Sequence, residues 1–407
     1  MTALEVAPDP ATIAELADGR TIRGWVDEGF GPVADAFRAN FEGRGDLGSA
    51  CAVYRGGRAI VDVWGGTADR RTGRPWDPGT AAVIFSCSKG IVAICVYLLV
   101  QAGRLDLDLP IATWWPAFAA NGKDRITLRD AMSHRAGLAA LDARLSRDEA
   151  LAWEPVVRAI ERQAPAAAPQ AGHFYHAMTY GWIVGEVIRR VTGVTPGRWF
   201  RAAVAEPLAL RTWIGLPGDA ADHVAWMEPP LPDEDSAAAR ESARLAEENR
   251  LVERSLTMGG AWGFPVEDGL VSFNDPAIQA AEVPAANGIS TARSLGRLYA
   301  CSIGGQTPLL SSGSIADALV VMSAGPQLSG MPDDGARWGT GFQLSSPPSQ
   351  PMLGDTSFGH AGAGGQLAFA DVEHRVGFAY LSNQMGGYGD VRARELTSAL
   401  RRALGRP

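Results

Sequence analysis

Short strand signals sit near the two ends of this sequence and helical periodicity fills its middle, an order that few folds can accommodate. Residues 49–64 read as two short strands joined by the turn Arg55-Gly56-Gly57-Arg58, a hairpin signal. An apolar run over 81–85 leads into a helical pattern over 86–101. There Ile91, Val92, Ile94, Cys95, Leu98 and Leu99 recur at spacings of three and four, and Gly103 supplies the stop. Helical patterns then dominate from about 110 to 280, among them 127–133, 149–162 and 179–191. The charged, Ala-rich stretch 233–253 reads as a solvated helix or lid element, and the Ala/Pro tract 164–171 as a loop. Strand signals return at 365–370 and 375–382, separated by Asp371-Val372-Glu373-His374, and residues 390–404 form an amphipathic helical pattern. The order predicts an α/β domain built from both chain ends (1–110 and 281–407), with a mainly helical domain (111–280) inserted.

A length of 407 residues allows one large domain or two intimate ones. The formal net charge of −8 argues against nucleic acid or an anionic membrane as partner. The first twenty residues lack a basic region followed by an apolar core, so no secretory signal is expected. The longest apolar stretch, 90–100, is too short to span a bilayer. Cys51, Cys87, Cys95 and Cys301 are scattered without CxxC spacing, which predicts reduced core thiols and a cytoplasmic protein.

Of 37 cationic side chains only two are lysine, Lys89 and Lys123. Arginine cannot deprotonate in a protein, whereas lysine can lose its proton and act as a base. Lys123 falls in Asn121-Gly122-Lys123-Asp124, a turn signal, and is expected to be exposed. Lys89 closes Ser86-Cys87-Ser88-Lys89 at the head of the apolar helix. Residues three apart share a helix face, so Lys89 can reach the Ser86 hydroxyl, while Ser88 points elsewhere. A desolvated, neutral amine would take the hydroxyl proton, and the free amides of the first helical turn would stabilise an oxyanion. The plain alternative is an N-cap serine followed by a surface lysine.

Further stretches widen the pattern. Residues 98–138 carry Leu-Leu-Val-Gln-Ala-Gly-Arg-Leu-Asp, then Trp-Trp-Pro-Ala-Phe, then Thr-Leu-Arg-Asp-Ala-Met-Ser-His-Arg-Ala-Gly-Leu. After them come Gly172-His173-Phe174-Tyr175-His176-Ala177, Glu206-Pro207-Leu208-Ala209-Leu210, Asn287-Gly288-Ile289-Ser290-Thr291-Ala292 and Gly359-His360-Ala361-Gly362-Ala363-Gly364-Gly365. In this order, and over about four-fifths of the chain, the series resembles the serine β-lactamase and penicillin-binding-protein superfamily. It is most similar to the class C β-lactamase-related carboxylesterases called family VIII. The resemblance implies a β-lactamase/transpeptidase-like fold, an antiparallel sheet flanked by helices.

It also implies roles. Ser86 would be the acylated nucleophile, Lys89 its proton partner and Tyr175 a second general base whose phenol pKa would have to be lowered. The backbone N–H groups of Ser86 and Ala363 would form the oxyanion hole, and His360 to Gly362 an edge strand lining the site, with His360 and Gly362 against substrate. Without the resemblance Tyr175 reads as a buried core residue and His360 as a loop histidine. Tyr180 is read as structural. Trp262 and Phe264, in the Gly-rich stretch 258–264, are candidates for a substrate-facing loop or for ordinary packing. Two positions depart from the superfamily pattern: Ala177 stands where asparagine is usual and His360 where lysine is usual. Those groups recognise the side chain and carboxylate of β-lactams, so an ester is the expected substrate, with weak β-lactam hydrolysis as a side activity.

No cofactor is implied. There is no HExxH or Walker A pattern, and His173 with His176 lacks a third ligand for a metal. Ala292-Arg293-Ser294-Leu295-Gly296 approximates a nucleophile elbow but lacks the strand before it, so Ser294 is read as a decoy. The sequence thus points to a serine carboxylesterase acting on a small or medium carboxylic ester. The other readings are an acyltransferase or D-amino-peptide or amide hydrolase on the same machinery, and a catalytically silent ligand sensor. Oligomeric state and natural substrate are not legible.

Overall fold

The computed structural model describes residues 10–231, 244, 249–304, 308–347, 349–387 and 389–405. The main sheet contains β1 (Ala11–Glu15), β2 (Thr21–Val26), β3 (Gly48–Arg55), β4 (Arg58–Asp69), β5 (Arg337–Trp338), β6 (Gln343–Leu344), β7 (Ser357–Gly362), β8 (Gln366–Asp371) and β9 (Val376–Ser382). They lie in the order β1-β2-β4-β3-β9-β8-β7-β6-β5, with Arg74–Pro75 paired onto β4. Each neighbouring pair along that order is antiparallel. The two ends of the chain meet at the β3–β9 ladder, where Ser49 lies opposite Ser382 and Arg55 opposite Val376. Gly56 and Gly57 turn β3 into β4 with φ of 58° and 88°, the left-handed pair that a two-residue hairpin favours.

The helices that frame the sheet are α1 (Gly31–Gly43), α2 (Cys87–Gln101), α3 (Thr179–Thr192), α4 (Ala292–Ile303) and α5 (Arg392–Ala403). Strand alternation sorts the side chains between two apolar layers. Cys51, Val53, Leu367, Phe369, Phe378 and Tyr380 face the layer closed by α1 and α5. Ala50, Ala52, Ala368, Ala370, Ala379 and Leu381 face the other layer, which holds α2 and α4. Small residues on that face let α4 come almost onto the backbone: a Cβ on Gly377 would lie 2.3 Å from the Ala300 nitrogen. Trp115, Ile160, Trp182 and Phe200 from the helical middle belong to this second layer too, so segment 111–280 shares its apolar core with the sheet.

Most of the predicted elements are present. The pattern over 149–162 is two helices, Arg147–Leu151 and Glu154–Arg162, because Trp153 takes a φ of 61° and Pro155 starts a new helix. Stretch 233–253 lies mostly outside the described residues; within it, helix Arg250–Thr257 begins at Asn249, whose side chain accepts from the amides of Leu251 and Val252. Lys123 is fully buried rather than exposed, its ammonium held by the carbonyls of Ala120, Glu161 and Gln163. The turn was read correctly, but a turn can fold inward when carbonyls wait to receive it. All four cysteines are free thiols. Among the described residues no helix is long and apolar enough to cross a membrane.

Candidate active site

Three chain segments converge just ahead of α2. Strand Ala82–Val83 pairs with Ile289–Ser290, which pairs in turn with Thr212–Trp213. The Ile84 amide then donates to the Gly288 carbonyl (2.8 Å), fixing the approach to the helix. Phe85 turns the chain with a φ of 44°, and Ser86 begins α2. Its side chain makes no capping bond, so the hydroxyl is free for other partners. From residue 80 to 97 every residue except Ser86 is buried. Ser88 points away: its hydroxyl donates to the Phe85 carbonyl and accepts from the Gly288 amide (2.9 Å).

Lys89 reaches back along the helix to Ser86, Nζ to Oγ 3.1 Å. The same nitrogen contacts the carbonyl oxygens of Ala177 (2.7 Å) and Ala285 (2.9 Å). The side chain is fully buried with no carboxylate against it among the described residues, and burial pushes its pKa well below the ordinary lysine value. Two of its three partners can only accept. A neutral amine satisfies them with its two N–H groups, which leaves its lone pair for the Ser86 hydroxyl.

Tyr175 completes the group. Its hydroxyl is close enough to Ser86 for that side chain to lower its pKa, and its ring lies 4.8 Å from Lys89 Nζ. Trp338 stacks on that ring (5.0 Å, 25°), His134 meets it edge-on at 4.8 Å, and its amide donates to Gln327 Oε1 (3.0 Å). The expected lowering of the phenol pKa is not found. Burial raises it, and the lowering by Ser86 offsets only part of that rise. The phenol therefore holds its proton at neutral pH, while burial shifts the amine beside it toward its neutral form. Tyr180 is buried in the core, its hydroxyl 3.4 Å from the Lys89 carbonyl.

The Ser86 amide donates to no acceptor among the described residues. Ala363 opens the turn Ala363–Gly365 between β7 and β8. That turn is held against the nucleophile's strand: a Cβ on Gly362 would lie 2.3 Å from the Ile84 carbonyl oxygen, and the Cys87 thiol donates to the His360 carbonyl (3.0 Å). β7 is not the sheet edge that was expected, because β6 and β5 lie outside it. Yet β6 pairs only with Phe358 and Gly359, and at Ala361 the amide bonds to the Gln343 side chain instead. His360 is buried against the stacked rings of Tyr175 and Trp338. Its Nδ1 bonds the Ala361 carbonyl, and its Nε2 has no partner among the described residues. Burial and the nearby Lys89 pull its pKa down to about 3, so the ring is neutral.

Phe264 packs edge-on against Phe85, the residue before the nucleophile, at 6.1 Å. Trp262 does not reach as far: it is 2% exposed, edge-on to Phe273, and placed as core. A cavity of about 380 Å³ opens on Tyr175 and Ala177, walled by Val252, Leu256, Met331 and Pro332. A larger hollow of about 690 Å³ around Arg71, Trp226 and Asp275 includes none of the converging side chains. His176 offers no metal lone pair, since Nδ1–H donates to the Phe174 carbonyl and Nε2 accepts from the Leu138 amide. Ser294 caps a chain turn, accepting from the Arg211 amide. Sequence reasoning missed Trp338 and the carbonyls of Ala177 and Ala285. A carbonyl leaves no trace in residue type, and Trp338 sits in a two-residue strand with too little pattern to read.

The chain as a whole is similar to known proteins in sequence and fold. A family model described as Beta-lactamase matches residues 35–401. The chain is similar to Esterase/beta-lactamase LipL of Mycobacterium tuberculosis, 35% identical over 379 residues that cover 90% of this chain and 84% of that protein. It superposes on the crystal structure of a family VIII carboxylesterase with a TM-score of 0.80 at 31% identity, covering 94% of this chain and 99% of that one. A penicillin-binding-protein homologue from Caulobacter crescentus superposes with a TM-score of 0.79 at 31% identity, covering 94% of this chain and 99% of that chain.

Proposed function

Since the chain belongs to the Beta-lactamase family, we propose that it is a carboxylesterase working through an acyl-enzyme on Ser86. The observation that carries this proposal is the contact of Lys89 Nζ with Ser86 Oγ and two carbonyls, which aims the amine's lone pair at the hydroxyl. Ser86 Oγ attacks the ester carbonyl carbon as its proton passes to Lys89. The developing oxyanion is received by the amides of Ser86 and Ala363. On collapse the C–O bond to the alcohol breaks, Tyr175 protonates the departing alkoxide, and the Lys89 ammonium restores the phenol proton. Water then attacks the acyl group by the same steps in reverse order.

An ester is favoured over a β-lactam by what stands beside this group. Ala177 contributes a methyl and a carbonyl where the family's asparagine would offer an amide, and neutral His360 replaces a cation that would hold a carboxylate. The likeness to Esterase/beta-lactamase LipL and to a family VIII carboxylesterase supports the same reading. The test is 4-nitrophenyl butyrate hydrolysis, followed by mass spectrometry of the quenched enzyme. A burst, turnover and a butyryl adduct on Ser86, all lost in Ser86→Ala, are expected. Hydrolysis that survives Ser86→Ala would overturn the proposal.

A further inference from the structure

We infer that Arg392, on α5, is a positioning residue that holds the Ala363–Gly365 turn in the geometry needed to receive the oxyanion, an inference that rests on the Ser86 acyl-enzyme proposed above. The side chain is buried, and its five N–H groups all meet acceptors. Nη1 bonds Asp46 Oδ1 (2.6 Å) and Ser382 Oγ (3.1 Å). Nε bonds the Asp390 carboxylate (3.0 and 3.1 Å). Nη2 bonds Asp390 Oδ2 (2.6 Å) and the carbonyls of Gln384 and Gly364, both at 3.0 Å. The last bond is the one that matters for catalysis. Gly364 directly follows Ala363, and its carbonyl also accepts from the Gly386 amide (3.1 Å).

The turn cannot hold its own shape. Gly364 and Gly365 have φ of 79° and 98°, conformations in which glycine loses the most freedom on ordering. With two such residues beside Ala363, the direction of the Ala363 N–H depends on what grips the turn from outside. From the front Ile84 abuts Gly362; from behind Arg392 and Gly386 hold Gly364. Arg392 is in turn fixed by Asp46, fully buried and bonded also by Tyr380 (2.8 Å) and by Ser49 (2.8 Å). The guanidinium thus ties the oxyanion turn to the start of β3 and the end of β9, the ladder where the two ends of the chain meet. A lysine would bring the charge but not the planar fork that reaches Asp46, Asp390 and Gly364 together.

The test compares the wild-type enzyme with Arg392→Lys, Arg392→Gln and Asp390→Asn on a 4-nitrophenyl ester and on a trifluoromethyl ketone, which forms a tetrahedral adduct with the serine. Substrate affinity is read separately by calorimetry with the same changes placed in a Ser86→Ala background. Arg392→Gln is expected to lower kcat about 30-fold or more, since a misplaced oxyanion donor loses much of its effect. The ketone is expected to weaken by the same factor while ester affinity changes less than about twofold. Asp390→Asn, which keeps an acceptor oxygen, is expected to give a smaller loss of the same kind and serves if Arg392→Gln does not fold. A merely structural role would lower the unfolding temperature with kcat and ketone affinity preserved in the folded fraction, and that result would overturn the inference. If the wild-type enzyme forms no adduct at Ser86, the esterase proposal itself fails, a different outcome from active variants with unchanged kcat.

Discussion

Lys89 Nζ and Ser86 Oγ sit 3.1 Å apart, one helical turn from each other, with the amine buried and the hydroxyl at the surface of the site. The pair asks the amine to be neutral, which burial arranges. Lys89→Arg keeps the cation and removes the base, because arginine does not deprotonate. The expected result is a loss of kcat of about a thousandfold on a 4-nitrophenyl ester. Lys89→Arg retaining a tenth of wild-type activity, with no Ser86-independent background, would mean that the amine does not act as a base.

Tyr175 and Lys89 predict the shape of the pH profile. Activity requires the amine unprotonated and the phenol protonated; burial lowers the first pKa and raises the second. kcat/KM should therefore rise with pH through the lowered Lys89 pKa and then stay flat, with no falling limb from Tyr175 in the mildly alkaline range. His360, neutral above about 3, adds no limb there. Tyr175→Phe should lower kcat by about 100-fold or more and spare KM. A fall of activity between pH 7 and 9 in the wild-type enzyme would instead assign the phenol as an ionised base.

Different parts of this site were legible to different degrees, for physical reasons. Ser86 and Lys89 could be read because a three-residue spacing on a helix fixes a shared face whatever surrounds it. The β3–β4 and β8–β9 hairpins could be read because their apolar runs are long, buried on both faces, and their turns are short. The strands and helix over 11–43 went unread: β1 and β2 have half-exposed, irregular patterns, although Val33, Phe37 and Phe41 do recur at helical spacing. Tyr175 needed the family resemblance, since a tyrosine in an irregular segment has no periodicity of its own. Its protonation state was misjudged because burial, a property of the assembled fold, outweighs the neighbours that sequence can name.

The cavity beside Tyr175 predicts discrimination by charge. Its apolar wall of Val252, Leu256, Met331 and Pro332 ends at Asp333 and Asp334, and no cation lines it among the described residues. A substrate carboxylate would meet like charge there without a partner. 4-Nitrophenyl butyrate should be turned over with a kcat/KM about tenfold or more above that of the matching succinate half-ester, corrected for spontaneous hydrolysis. Replacing both aspartates by asparagine should narrow the gap. Equal rates for the two esters would show that the acyl chain goes elsewhere.

Lys123 supplies the last prediction, about stability rather than catalysis. Its ammonium lies 2.6 Å from the Ala120 carbonyl, 3.0 Å from that of Glu161 and 2.5 Å from that of Gln163, stitching the loop after residue 120 to the end of helix Glu154–Arg162. Lys123→Met keeps the length and the apolar stem but leaves three carbonyls short of a donor. Each such loss is worth about 1 kcal/mol or more when the group stays buried, so a destabilisation of about 2–4 kcal/mol is expected in denaturant titration. The ester kcat of the folded variant should match wild type, because Lys123 contacts none of Ser86, Lys89 or Tyr175. The two lysines then separate cleanly: one change removes activity, the other stability. Loss of kcat in a folded Lys123→Met enzyme would break that separation.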